Sequence, residues 1–186
     1  HQMNMAASEE FGQYFVRLPL KKAANIVHGN ALRIDWSEVV PKEKLSYIMG
    51  NPPFVGKHLQ SSSQREDLMK ITEAHRIRAA GDLDYVGAWF LKAADLMANT
   101  NSIHTAFVAT NSISQGEQVS LLWQALFALG VKIDFAHRTF QWHNDARGQA
   151  AVHCVIIGFS LSGKSRQRLF EYETVAGEPH EIQVQN

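Results

Sequence analysis

The strongest constraint on the fold is an alternation of short apolar runs with amphipathic helical patterns between Leu45 and Phe159. Leu45–Gly50 reads as a strand, with Tyr47, Ile48 and Met49 contiguous as in a strand buried on both faces. Asp84–Asn99 places apolar side chains three and four apart, at Val86, Trp89, Phe90, Ala93, Leu96 and Met97, which marks a helix with one core face. Ile103–Ala109 is a second strand and Glu117–Leu129 a second apolar-faced helix, stopped by Gly130. Val131–Ala136 and Ala150–Phe159 are two more strands. Strand, helix, strand, helix, strand is the pattern of an α/β domain on a mostly parallel sheet. The last two strands are joined by HRTFQWHNDARGQ, which contains no convincing helix, so they are expected to pair antiparallel at one edge.

The flanking segments are less patterned. Residues 1–24 combine a helical stretch, MNMAASEEFGQYF, with a turn at Leu18–Leu20. Asn25–His28 reads as a short strand closed by Gly29–Asn30, and a polar loop containing Pro41 follows. Residues 57–81 form a serine-rich stretch and a charged helix with few apolar positions, expected to be an exposed excursion. The chain of 186 residues, 45% hydrophobic and 19% charged, is enough for one real core, and eighteen basic residues balance eighteen acidic ones. Bulk charge therefore points to no polyanion. Cys154, inside AAVHCVIIGF, is expected to be a buried reduced thiol in a reducing compartment. No run reaches the roughly 18 apolar residues of a membrane span, and no signal peptide is recognisable, so a cytoplasmic location and no membrane partner are expected. His1 is neither an initiator nor part of a tag, as in an internal piece of a longer chain.

The predicted strand ending at Gly50 is broken by Asn51-Pro52-Pro53-Phe54. A residue before proline is driven into an extended conformation, so Asn51 and Pro52 are both stiff. Proline donates no N–H to a sheet, which leaves nearby carbonyls unconsumed. The Asn51 side-chain oxygen and the Pro52 carbonyl are two acceptors held close together, suited to both hydrogens of an –NH₂ group. Drawing those hydrogens out of the plane of an aromatic amine favours a pyramidal nitrogen whose lone pair can attack. Phe54 offers a face for the ring, a contact worth about 1–3 kcal/mol. A plain turn made of turn-forming residues is the competing reading.

Asn51–Phe54 resembles the catalytic motif of amino-group methyltransferases that use S-adenosylmethionine. Together with FGQYFVRLPL, HGNALRIDW, GDLDYVGAWFLKAADLM, FVATNSISQGEQ and FQWHNDARGQAAVHCVIIGFS, it is similar to the methyltransferase region of the MmeI-like (type IIL) restriction–modification enzymes. That resemblance implies transfer of a methyl group to N6 of an adenine flipped from double-stranded DNA. It implies catalytic roles for Asn51, Pro52, Pro53 and Phe54, with Phe54, Trp142 and Asn144 against the target base. Asn30 and Ala31, with Asp82, Leu83 and Tyr85, would lie on the S-adenosylmethionine pocket. Nuclease and target-recognition domains would complete the enzyme in cis.

The departures are also informative. The family's glycine-rich turn and the acidic residue ending its second strand are not in this sequence. The expectation is an incomplete Rossmann-like fold lacking its first two strands, with an incomplete cofactor pocket and no activity as cut. Residues 1–186 would be one partial catalytic domain: a lead-in (1–24), an α/β core (25–165) and the start of a C-terminal extension (166–186), in which RLFEYETVAG reads as an edge strand. Methylation of N4 of cytosine or of protein glutamine poses the same amine problem and remains open, as does a non-catalytic binding module. Gly158–Ser165 matches a phosphate-binding G-x-x-x-x-G-K-S loop but has little chain left for the rest of such a fold. The nine histidines show no metal-ligand spacing, and the HND at 143–145 is set aside for the same reason.

Overall fold

The computed structural model describes residues 24–142, 152–174 and 177–183. Among these residues six strands form one sheet: β1 (Tyr47–Gly50), β2 (His104–Thr110), β3 (Lys132–Trp142), β4 (Val152–Ser160), β5 (Arg168–Tyr172) and β6 (Pro179–Ile182). Their spatial order is β1-β2-β4-β3-β5-β6. β1 and β2 are parallel, as are β3 and β5, while β4 is antiparallel to both of its neighbours and β6 to β5. Four strands thus share one direction. The expected antiparallel pairing of the last two core strands is present, but not at an edge. β4 inserts between β2 and β3, because a short connection returns it beside β3 while its apolar sequence VHCVIIGFS needs neighbours on both sides.

Among the described residues four α-helices accompany the sheet: α1 (Trp36–Val39), α2 (Ser62–Ala74), α3 (Gly87–Met97) and α4 (Glu117–Ala128). α2 starts at a capping box, in which the Ser61 hydroxyl accepts from the Gln64 N–H and the Gln64 side chain accepts from the Ser61 N–H. α4 stops where the sequence predicts. Gly130 takes φ +85°, and its N–H and that of Val131 reach back to Phe127 and Leu126. α3 and α4 pack on one sheet face, where Phe90 stacks on Phe159 with centroids 5.5 Å apart and meets Phe107 edge-on at 5.2 Å.

That one-sided packing corrects two readings. Tyr47 and Met49 of β1 are 68% and 79% exposed, so the strand is not buried on both faces. The strand read at Asn25–His28 does not form, and Ile26 is 89% exposed. A strand needs an edge to pair with, and among the described residues none adjoins this segment. The 57–81 excursion is also less exposed than its composition suggests, since α2 buries Asp67, Leu68 and Thr72. Cys154 is buried, as expected, and burial pushes its thiol up. Among the described residues no helix is long and apolar enough to cross a membrane.

Candidate active site

Strand β1 delivers Asn51 to the carboxyl end of the sheet, where open α/β sheets bind ligands. Gly50 lies close against Phe107, since a Cβ there would stand 3.4 Å from the ring. Asn51 and Pro53 are exposed and Pro52 is buried. Among the described residues no hydrogen bond engages the Asn51 side chain or the Pro52 carbonyl, whereas the Pro53 carbonyl accepts from the Val55 N–H at 3.1 Å.

Asn51 and Pro52 border a cleft of about 710 Å³, closed by Gly29–Ala31 and Trp36 on one side and by Ser63, Gln64 and Asp67 of α2 on another. Tyr85 and Trp89, whose rings meet edge-on at 5.0 Å, complete it. The polar wall is organised by Asp67, which is 3% exposed. Its carboxylate accepts from Asn30 Nδ2 at 2.8 Å, Arg33 Nε at 2.7 Å and Tyr85 OH at 3.2 Å. Burial alone would raise the Asp67 carboxyl, but these hydrogen bonds and the Arg33 charge outweigh it and hold it below the usual carboxylate range. Burial and the Asp67 charge push the Tyr85 hydroxyl up. Asn30 Oδ1 accepts from the Leu32 N–H at 3.0 Å, so both ends of the amide are oriented.

The loop after Phe54 is tied to the Asp82–Tyr85 segment rung by rung. The Tyr85 N–H donates to the Val55 carbonyl at 3.0 Å, the Lys57 N–H to Asp84 Oδ1 at 2.8 Å, and Gln60 Nε2 to the Leu83 carbonyl at 2.9 Å. Lys57 Nζ also pairs with Asp82 at 3.2 Å. Ser112, just beyond β2, donates to Asp84 Oδ2 at 2.5 Å.

Of the residues nominated from sequence, Asn30, Ala31, Asn51, Pro52, Pro53 and Tyr85 converge on the cleft. Phe54 is half-buried beside it, and Asp82 and Leu83 serve the neighbouring loop rather than lining it. Trp142 ends β3, 45% exposed and away from the cleft lining. Asn144 lies outside the described residues. Asp67, Asp84 and Trp36 were missed by sequence reasoning. The serine-rich stretch leads into the charged helix α2, but nothing local shows which of its charged residues turns inward. The Gly158–Ser165 pattern is no phosphate loop, for Gly158 is buried in β4 under the Phe135 ring and no helix follows Ser160 among the described residues. Among the described residues no three His, Cys, Asp or Glu side chains group as a metal site requires.

The family model described as MmeI, DNA-methyltransferase domain, matches residues 1–171. The chain is 41% identical over 179 residues to DNA methyltransferase A of Bacillus subtilis (strain 168), covering 94% of this chain and 20% of that relative. It is similar to the solved type IIL restriction–modification enzyme MmeI in complex with DNA, with TM-score 0.86 and 53% identity over 100% of this chain and 25% of that one. The chain thus spans a fifth to a quarter of the length of these relatives. On the strength of the family match and these identities, the chain belongs to the family of MmeI DNA-methyltransferase domains.

Proposed function

We propose that the protein transfers a methyl group from S-adenosylmethionine to the N6 amine of an adenine turned out of double-stranded DNA, within a longer restriction–modification enzyme that also carries nuclease and target-recognition domains. One observation carries the reading: the Asn51 side chain and the Pro52 carbonyl, unengaged among the described residues, stand at a strand tip on the same cleft as Asn30 and Tyr85. The names of the relatives, a DNA methyltransferase and an enzyme solved with DNA, support DNA as the substrate.

Asn51 Oδ1 and the Pro52 carbonyl accept the two N–H bonds of the target amine and hold its lone pair out of the ring plane. Phe54, just beyond Pro53 and only half-buried, supplies a face for the base, whose removal from the duplex costs a few kcal/mol. The cleft residues fit the adenosine end of the cofactor: Trp36, Trp89 and Tyr85 give flat apolar surface, while Asn30 and Asp67 give oriented polar atoms. Among the described residues no lysine or arginine lines the cleft for a methionine carboxylate. When bound, the cofactor supplies an electrophilic methyl group on a sulfonium centre. The chain's residues bind and orient the nucleophile.

The test is incubation of the longer restriction–modification enzyme that contains this chain with DNA and methyl-labelled S-adenosylmethionine, followed by nucleoside chromatography. Label in N6-methyladenine, lost by about a hundredfold or more in Asn51→Ala, is the expected result. Label in N4-methylcytosine or in protein glutamine reassigns the substrate. Equal labelling by wild type and Asn51→Ala removes Asn51 from the catalytic role.

A further inference from the structure

Asp84 lies outside both the catalytic motif and the cleft lining, yet it ties the loop that follows the motif to the rest of the fold. β1 pairs with β2 only as far as Gly50. Beyond it, Pro52 and Pro53 have no N–H to continue a ladder, and the Val55 N–H is spent on the Pro53 carbonyl at 3.1 Å. Among the described residues, the first N–H past the prolines that bonds to another segment is that of Lys57, which donates to Asp84 Oδ1 at 2.8 Å. Asp84 is itself fixed from two sides. Its N–H donates to Gln118 Oε1 of α4 at 2.8 Å, and its Oδ2 accepts the Ser112 hydroxyl at 2.5 Å. Ser112 spends its one hydroxyl hydrogen there, so the Thr110 hydroxyl, 2.8 Å away, must donate to Ser112. This buried carboxylate, 8% exposed, therefore links the far end of the catalytic loop to the tip of the neighbouring strand. A span held extended at Asn51 and Pro52 has little give. Rooted in β1 at one end and fixed at Lys57 at the other, it carries a displacement of Lys57 back to the acceptor pair between them.

We propose that Asp84 is a positioning residue for methyl transfer: its carboxylate sets where the Asn51 side chain and the Pro52 carbonyl stand relative to the β2 tip, and hence how the target amine meets the methyl donor. The inference rests on Asn51 and Pro52 being the acceptors for that amine. Transfer between two bound groups depends on their placement, and a displacement of about 1 Å costs on the order of a hundredfold in rate. Binding of DNA and cofactor draws on surfaces outside this loop, so the loss falls on the chemical step.

Single-turnover methyl transfer by the longer restriction–modification enzyme, at saturating DNA and S-adenosylmethionine and well below the thermal midpoint, reads the chemical step alone. Asp84→Ala is expected to slow it by about tenfold or more, with dissociation constants for DNA and S-adenosylhomocysteine within about threefold of wild type. Gln118→Ala removes an anchor of the same segment without touching the loop, and is expected to lower the thermal midpoint while keeping the rate within about threefold. A purely structural Asp84 would lower the midpoint and leave the folded enzyme as fast as before. An Asp84→Ala rate within about threefold of wild type therefore overturns the proposal, as does equal slowing in Gln118→Ala or a loss that appears only in the dissociation constants. Should Asn51→Ala transfer methyl as fast as wild type, the acceptor reading falls and takes this role with it. Should Asp84→Ala not fold, Ser112→Ala decides, since it cuts only the link to the β2 tip: slowing by about threefold or more is expected, and an unchanged rate overturns the proposal.

Discussion

Asp84 joins two strand tips through one buried carboxylate. Lys57 in the loop after Phe54 donates its backbone N–H to Oδ1, and Ser112 beyond β2 donates its hydroxyl to Oδ2. Removing the carboxylate leaves the Lys57 N–H unpaired and the Ser112 hydroxyl with Thr110 alone as its side-chain partner, at a site 8% exposed. Asp84→Ala is expected to lower stability by about 1–3 kcal/mol, read as a fall in urea midpoint. Lys57→Ala leaves the backbone N–H in place and removes only a part-exposed ion pair with Asp82, worth about 0–1 kcal/mol. A midpoint that falls as far in Lys57→Ala as in Asp84→Ala would contradict this account.

Asn51 is exposed, and none of the hydrogen bonds among the described residues uses its side chain. Asn51→Ala is therefore expected to unfold within about 0.5 kcal/mol of wild type while losing methyl transfer. A large drop in its thermal midpoint would show that the residue is there for structure.

Gly158 lies near the end of β4, and a Cβ there would stand 2.0 Å from the Phe135 ring. Gly158→Ala is expected to destabilise the fold by about 1–3 kcal/mol, since the half-buried Phe135 ring must leave its place over β4. In the Phe135→Ala background the same change should have much less effect, and a double-mutant cycle measures the difference. Additive losses would mean that the ring is not the obstacle.

Lys92 is a lone cation on the apolar helix α3, and its ammonium donates to the Leu32 and Ile34 carbonyls at 2.8 and 2.6 Å. Burial lowers its pKa. It pins the turn that carries Asn30 to the core. Lys92→Met keeps the apolar stem but strands both carbonyls, and faster amide exchange across residues 30–36 with a loss of about 1–3 kcal/mol is expected. Unchanged exchange there would remove the pinning role.

The depressed Asp67 carboxyl gives a signed pH dependence. Its folded value lies below its unfolded value, so the unfolded chain takes up the proton first as pH falls. The stabilisation is present above about pH 3.9, the ordinary aspartate value, and is lost as pH falls through the lower folded value. The gap between wild-type and Asp67→Asn urea midpoints is therefore expected to be constant from neutral pH down to about 5 and to shrink below about 4. A gap that widens in acid would reverse the assignment.

Local pattern alone determined the strands around Ile48, Phe107 and Ile157, the helices that carry Phe90 and Leu122, the glycine stop at Gly130 and the stiff acceptors at Asn51 and Pro52. Each follows from side-chain periodicity or backbone restriction within a few residues. Tertiary structure decided what depends on distant partners. β4 lies inside the sheet because its hydrogen bonds go to β2 and β3, and Tyr47 and Met49 stay exposed because α3 and α4 cover the other face. Asp67 looks in the sequence like one more charge on a solvated helix. It becomes the centre of the cleft wall only when Asn30, Arg33 and Tyr85, separated by up to 37 residues from it along the chain, bring three donors to it. A carboxylate is stable in the interior only with such partners, and no window of sequence contains them all.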